Sequence, residues 1–131
     1  MIHSLTNNLL AVHELDIGVF RFYPNLVISE IKEGTVVTFE KALPLFSIGM
    51  EYYDMDTSLV YISDRKNSYS IDPTLHMEAK EIFSNLIGYG VVAYNEMSRK
   101  IAALEQKFVA CPMGVFNSLD EAKIWAQDLL K

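Results

Sequence analysis

The stretch that decides the fold is residues 59–94, which read LVYISDRKNSYSIDPTLHMEAKEIFSNLIGYGVVAY. Its first four residues form a short apolar run, typical of a strand in a sheet that is covered on both faces. Asp72 and Pro73 then supply an N-cap and a first helical residue. Residues 91–94 indicate the next strand, so the stretch predicts two parallel strands joined by a right-handed helical crossover. Apolar residues at the spacing of one helix face support that helix: Leu75, Ala79, Ile82, Phe83 and Leu86.

Before this stretch, the pattern favours a β-hairpin. Residues 19–23 (VFRFY) and 26–31 (LVISEI) are rich in aromatic and β-branched side chains, and Pro24-Asn25 marks a turn between them. An extra strand near residues 10–15 is an alternative that the pattern leaves open.

A helix is predicted after this hairpin. Thr38 is the predicted N-cap, and Pro44 should kink the helix or mark a later start. The predicted apolar face consists of Phe39, Ala42, Leu43, Phe46 and Met50.

The chain after residue 94 adds a helix, a strand and a last helix. Asn95 is the predicted cap of the first helix, Pro112 precedes a short strand at residues 113–116, and Ser118 with Glu121 forms a capping box. The predicted buried positions are Met97, Ile101, Leu104 and Phe108 in the first helix and Ala122, Trp125, Ala126 and Leu129 in the second.

The element order is therefore β-β-α-β-α-β-α-β-α, which predicts an α/β fold. We expect a mixed sheet of four to five strands with about four helices, starting from an antiparallel hairpin. Residues 1–131 are expected to form a single domain, with residues 1–8 as a loosely ordered N-terminus.

Composition and charge exclude several classes of protein. Lys and Arg total 11 against 17 Asp and Glu, so the net charge of -6 disfavours binding to nucleic acid or anionic membrane. No apolar run approaches the ~20 residues that span a bilayer, and no signal peptide is evident. Cys111 is the single cysteine, so no intrachain disulfide forms. We expect a soluble, cytoplasmic protein.

Three segments carry a resemblance to a known family: residues 59–73, 91–101 and 112–125. The last reads PMGVFNSLDEAKIW, a strand ending in Phe and then a capped helix with Glu-Ala and a Trp. The element order resembles the STAS-like fold of the sporulation anti-sigma-factor antagonists. Roughly the last 75 residues resemble the small bacterial proteins described as STAS-like or SpoIIAA-like, which are mostly uncharacterised, and the first part matches by pattern only.

The resemblance implies a non-enzymatic regulatory or protein-interaction domain, with a protein partner or self-association. Anti-sigma antagonists carry a phosphorylatable serine just after an aspartate at the start of the corresponding helix. Here Pro73 follows Asp72, so this sequence departs from the pattern. Thr74 and Ser70 are neighbouring hydroxyls outside the expected position.

A candidate binding site lies in the polar connection at residues 63–71 and the helix start that follows. It is expected at the carboxyl end of a strand, where open α/β sheets bind ligands, and a helix N-terminus favours anions. A solvated connection in which Asp72 is only an N-cap is the alternative. The residues predicted to bind a partner or an anion are Asp64, Ser68, Ser70, Asp72 and Thr74.

Other side chains have structural interpretations. The histidines, His3, His13 and His76, lack a zinc-binding spacing, and His76 is predicted to be exposed. Cys111 is predicted to be a buried or half-buried structural thiol. No catalytic residue, metal or cofactor is predicted.

Three further short segments are predicted to be turns or part of the core or surface. Asp54 and Asp56 are expected in a solvated turn, and Gly88 and Gly90 are expected to turn the chain into the strand at Val91. Residues 50–55 are core or an apolar contact surface. The alternative function is a carrier of a small apolar or lipid-like ligand in an interior pocket.

Overall fold

The computed structural model describes residues 8–131. Residues 1–7, which include His3 and most of the predicted loose N-terminus, lie outside the described residues. The described strands are β1 (Ala11–Leu15), β2 (Gly18–Tyr23), β3 (Leu26–Ile31), β4 (Val36–Val37), β5 (Leu59–Arg65), β6 (Ser70–Ile71), β7 (Leu86–Ala93) and β8 (Met113–Phe116). The described helices are α1 (Phe39–Tyr52), α2 (Leu75–Ile82), α3 (Glu96–Glu105) and α4 (Leu119–Leu129).

The main sheet is mixed and has six strands in the order β1-β2-β3-β5-β7-β8. β1, β2 and β3 pair antiparallel, and the pairs β3–β5, β5–β7 and β7–β8 are parallel. This confirms the α/β class, but the expected four to five strands is wrong because residues 11–15 pair with β2. β4 and β6 form a separate parallel pair that the sequence did not predict, since two residues carry no readable period.

Alternation along the strands gives the sheet two different faces. The face that we call the three-helix face presents Phe20, Phe22 and Tyr89, and α1, α2 and α3 cover it. The opposite face, the α4 face, presents Val60 and Ile62 to α4. The sheet is therefore buried between helices, as the apolar run at residues 59–62 indicated.

The α4 face is packed at close approach because β7 carries two glycines there. A Cβ atom on Gly88 would lie 2.6 Å from Cδ1 of Leu129, and one on Gly90 would lie 3.1 Å from Cζ3 of Trp125. The predicted turn at these glycines is therefore wrong, because both lie within β7. They make room for α4.

The helix preceding β7 is shorter than predicted. α2 ends at Ile82, and Leu86 opens the strand instead of continuing the helix face. The side-chain amide of Asn85 donates to the carbonyls of Asp54 and Thr57 at 3.1 and 2.7 Å, which fixes the chain at this turn. Local hydrogen bonds of this kind are not visible in an apolar periodicity.

Three predicted helix caps are confirmed. The side chains of Thr38, Asn95 and Ser118 accept hydrogen bonds from backbone amides at the starts of α1, α3 and α4. α1 runs through Pro44, so a later start is wrong. Asp72 is not the N-cap of α2, because its side chain and carbonyl hold a turn that precedes Leu75.

Two predicted helix faces are rotated from the observed ones. Leu43 and Met50 of α1 are exposed, and its buried residues are Ala42, Phe46 and Gly49. In α3, Met97 is 66% exposed and Leu104 is 60% exposed. The buried side of α3 carries Ser98, Ala102 and Glu105 instead, and the helix ends before Phe108. None of the described helices has both the length and the apolar character to cross a bilayer.

Candidate functional site

The five residues predicted as a binding site are divided between the sheet and an exposed connection. Asp64 lies within β5 and is only 1% exposed, so its predicted place in a solvated loop is wrong. Its Oδ1 accepts a 2.6 Å hydrogen bond from the Tyr94 hydroxyl. The strand extends to Arg65 because β7 pairs with it along its full length, which a polar sequence does not reveal.

The other four predicted residues are exposed, but each has a structural role. Asp72 Oδ1 accepts from the backbone amide and the hydroxyl of Thr74 at 3.1 and 2.8 Å. The amide of Ser68 donates to Glu33 Oε1 at 3.1 Å, and Ser70 pairs with Val36 in the small sheet. The structure therefore keeps Ser68, Ser70, Asp72 and Thr74 in one connection and separates Asp64 from them.

A cavity of about 110 Å³ lies on the three-helix face, between the sheet and the helices α1 and α2. Its lining is mainly apolar and comes from both layers, including Phe22, Val27, Phe46, Tyr53 and Phe83. Residues 109–111 also line it, and Ala110 in this segment is exposed. The sequence did not predict this space, since volumes left between elements depend on tertiary packing.

One end of the cavity is polar. Ser63 from β5, Tyr69 from the following connection, His76 from α2 and Tyr89 from β7 all line it. Ser63 Oγ and Tyr69 Oη are 2.6 Å apart. The predicted exposure of His76 is wrong, because its side chain is 9% exposed and lies edge-on to Tyr89 at 4.6 Å between ring centroids.

Arg65 and Glu105 form a buried ion pair behind this polar end. Nη1 of Arg65 donates to Oε2 of Glu105, and Nη2 donates to Oε1 at 2.8 Å. The side chains are 4% and 2% exposed. Such a bidentate pair is both strong and geometrically specific, because two parallel hydrogen bonds fix the guanidinium plane.

Neighbouring hydrogen bonds satisfy the rest of this ion pair. Glu105 Oε1 also accepts from the Tyr89 hydroxyl at 3.2 Å, and His76 Nε2 lies 2.8 Å from it. Since an ionised carboxylate only accepts, His76 carries a proton on Nε2. Arg65 donates further to Tyr89 Oη at 2.9 Å and to Ser63 Oγ at 3.1 Å. The charges therefore lie in a connected polar network.

The network determines the charges at this site. Burial alone would raise the pKa of Glu105, but the hydrogen bonds from His76 and Arg65 and their charges outweigh it and lower the pKa to about 2. Burial raises the pKa of Tyr69 above its usual value, against the opposing charge of Arg65. At neutral pH the site therefore holds an ionised Glu105 and neutral tyrosine hydroxyls.

Cys111 and the remaining histidine have simpler surroundings. Cys111 is half-buried, as predicted, and burial raises the pKa of its thiol. It also lines the cavity, which was not predicted. His13 Nε2 lies 3.1 Å from the Tyr52 hydroxyl, on an exposed part of β1. Within residues 8–131, no group of three or more His, Cys, Asp or Glu side chains could hold a metal ion.

The predicted turn at Asp54 and Asp56 is present, and the segment 50–55 is divided between core and surface. Asp54 Oδ1 accepts from the Asp56 amide and the Thr57 hydroxyl, both at 3.0 Å, so these residues form a side-chain-capped turn. In the segment 50–55, Met50, Tyr52 and Met55 are exposed. Tyr53 is core, and its hydroxyl donates to the Tyr23 carbonyl at 2.6 Å.

Sequence reasoning missed Arg65, Glu105, Tyr69 and Tyr89 as members of the site. Glu105 lies four residues after Ile101, on the side of the helix where the sequence predicts apolar residues. This position is the signal that could have found it, because a buried carboxylate requires a partner. The partner itself is 40 residues away in sequence. The pairing depends on α3 packing over β7.

Comparison with known proteins finds no matching family model, no curated relative and no similar solved structure.

Proposed function

We propose that the protein is a non-enzymatic binding protein whose ligand is a small, mainly apolar molecule held in the cavity. The observation that carries this proposal is the cavity itself, which is lined by apolar side chains and has one polar end at Ser63, Tyr69, His76 and Tyr89. Apolar walls with a few convergent polar groups are the usual composition of small-molecule sites.

The cavity volume limits the size of the ligand. A cavity of roughly 150 Å³ holds benzene, which has six carbon atoms. At about 110 Å³, this cavity has space for about five non-hydrogen atoms. The ligand is therefore a small molecule or the end group of a larger one. A complete long-chain lipid does not fit inside.

The test is retention of a small molecule by the folded protein. The protein is dialysed to equilibrium against a small-molecule extract of cells, and the compounds enriched on the protein side are identified by mass spectrometry after denaturation. The matched control is Ala79→Leu, because Ala79 lines the cavity and the added carbons occupy it. We expect a compound enriched by the wild-type protein and absent with Ala79→Leu. Equal retention by both proteins, or none by either, contradicts the proposal.

The resemblance to STAS-like proteins supports a second candidate function, a cytoplasmic regulatory domain that binds a protein partner. The observation in its favour is that Ser68, Ser70, Asp72 and Thr74 are exposed in one connection between β5 and α2. A pull-down from native lysate would compare wild-type protein with a Ser68→Ala/Ser70→Ala variant. A partner retained only by the wild-type protein supports this function, and the recovery of no partner contradicts it.

A further inference from the structure

We infer that the ligand of the cavity is uncharged and carries a hydrogen-bond acceptor oxygen, such as a carbonyl, which meets the Ser63–Tyr69 pair. This inference rests on the proposed function, because it assumes that the cavity is a binding site. Two observations lead to it: the hydroxyl hydrogen that has no acceptor and the balance of charge around the cavity.

The hydroxyls of Ser63 and Tyr69 carry two hydrogens, but only one of these has an acceptor. Ser63 Oγ already accepts from Arg65 Nε at 3.1 Å. The 2.6 Å contact between Ser63 and Tyr69 uses one of the two hydroxyl hydrogens. Arg65 also lies beside Tyr69, but a guanidinium only donates. Across residues 8–131, neither hydroxyl has a further acceptor within hydrogen-bond distance, so the second hydrogen has no acceptor. Both residues line the cavity. The polar end therefore presents a donor that a ligand oxygen can satisfy.

The balance of charge favours a neutral ligand. Arg65 and Glu105 neutralise each other in a bidentate pair, so neither is available as a counter-ion. Two further groups that can carry positive charge line the cavity, and both are already engaged. His76 Nε2 lies 2.8 Å from Glu105 Oε1. The Lys80 ammonium donates to the carbonyls of Ser84 and Leu86 at 3.1 and 2.8 Å. A charged group moved from water into this space would lose its hydration without gaining a free partner, which is costly.

Three probes of five non-hydrogen atoms each separate these properties. Butanone has an acceptor oxygen and no charge, 2-methylbut-1-ene replaces the oxygen with a CH₂ group, and propionate is an anion at neutral pH. The dissociation constant of each probe is measured by NMR titration of the wild-type protein in sealed tubes. The affinities of butanone and the alkene are each divided by the probe's partition coefficient from water into cyclohexane, because an apolar cavity without a donor would follow that partition. Propionate is compared with butanone by the dissociation constants themselves.

If butanone accepts a hydrogen bond from the hydroxyl pair, its partition-corrected affinity should be at least about tenfold higher than that of the alkene. Propionate should bind more weakly than butanone. A Ser63→Ala/Tyr69→Phe variant should lose about fivefold to tenfold of the butanone affinity and keep the alkene affinity within about twofold. The wild-type comparison decides the question even where this variant does not fold.

The remaining outcomes separate the two proposals. Binding of butanone and the alkene in proportion to their partition coefficients overturns the inference and leaves the cavity as a purely apolar site. Tighter binding of propionate overturns it in favour of an anionic ligand. No binding of any probe up to about 50 mM or its solubility limit overturns the proposed function, and the inference with it.

Discussion

The two faces of the central sheet are packed in opposite ways. On the α4 face, Gly88 and Gly90 allow Trp125 and Leu129 to approach the strand backbone directly. On the three-helix face, the neighbouring residue of the same strand is Tyr89, which lies 5.7 Å from Tyr61 in a stacked pair. One strand therefore carries small residues toward one layer and large aromatic residues toward the other.

The cavity lies on the face that carries the large aromatic residues of β5 and β7. Tyr61 and Tyr89 both line it. Polar groups fill part of this layer, since Arg65, Glu105 and His76 occupy positions that an apolar core would give to aliphatic side chains. The α4 face has no comparable polar network among the described residues. The three-helix face therefore contains both the cavity and the polar network.

The largest expected effect comes from breaking the ion pair on the three-helix face. Glu105→Gln leaves the guanidinium of Arg65 buried without its negative partner, and removing one member of such a pair costs about 3–5 kcal/mol. Urea denaturation measures the free energy of unfolding. Asp128→Asn is the control, because Asp128 is exposed and pairs only with Lys131, and we expect it to cost less than about 0.5 kcal/mol. A loss below 1 kcal/mol for Glu105→Gln would show that the network is dispensable.

Low pH should lower the stability that the ion pair on the three-helix face contributes. The pKa of Glu105 is about 2 in the folded protein against an ordinary 4.5, so protonation favours the unfolded chain. Its contribution to stability is complete above about pH 4.5 and is lost as the pH falls toward 2. The difference corresponds to about 3 kcal/mol. Unfolding free energies between pH 6 and pH 2.5 should fall more steeply for the wild-type protein than for Glu105→Gln. Parallel curves would contradict the assignment.

Added volume on the α4 face should destabilise the protein moderately. Gly88→Val places carbon atoms against Leu129 and Trp125, where a Cβ alone would approach to 2.6 and 3.1 Å. Overpacking of this kind costs about 1–3 kcal/mol. Thermal and urea denaturation measure the change. If Gly88→Val is as stable as the wild-type protein, the α4 face has free space and the contrast between the faces is lost.

The same kind of addition on the three-helix face should have the smallest effect. Ala79→Leu places three more carbon atoms in the cavity, so the free energy of unfolding should change by less than about 1 kcal/mol, or rise slightly. It is compared with Gly88→Val under identical conditions. A loss as large as that of Gly88→Val would mean that the cavity cannot accept a carbon side chain.

The sequence predicted the α4 face better than the three-helix face. The capping box at Ser118 and the apolar positions Ala122, Trp125 and Ala126 were enough to place α4, because this layer follows simple helical periodicity. Periodicity failed for α3, whose buried side includes a charged residue, and the apolar Met97 and Leu104 face outward. Helical periodicity places charged residues at the surface, whereas Glu105 is buried.

The candidate site was less predictable than the fold for a related reason. The predicted binding residues all lie in one contiguous polar stretch: Asp64, Ser68, Ser70, Asp72 and Thr74. The polar cluster at the cavity comes from five separate segments and joins Ser63, Arg65, Tyr69, His76, Tyr89 and Glu105. Which of these meet depends on strand order and on helix orientation, and neither is encoded in local spacing. The cavity has no sequence signature, since it is the space that packing leaves.

The most direct test of the binding site is to locate a bound probe by NMR. Butanone is titrated into ¹⁵N-labelled protein, and the shift of each assigned amide signal is followed to saturation. We predict saturable shifts for Ser63, His76 and Cys111, which line the cavity, and none for Ala122 and Ala126 on α4. Saturable shifts confined to α4, or no saturable shift anywhere, would contradict a ligand site on the three-helix face.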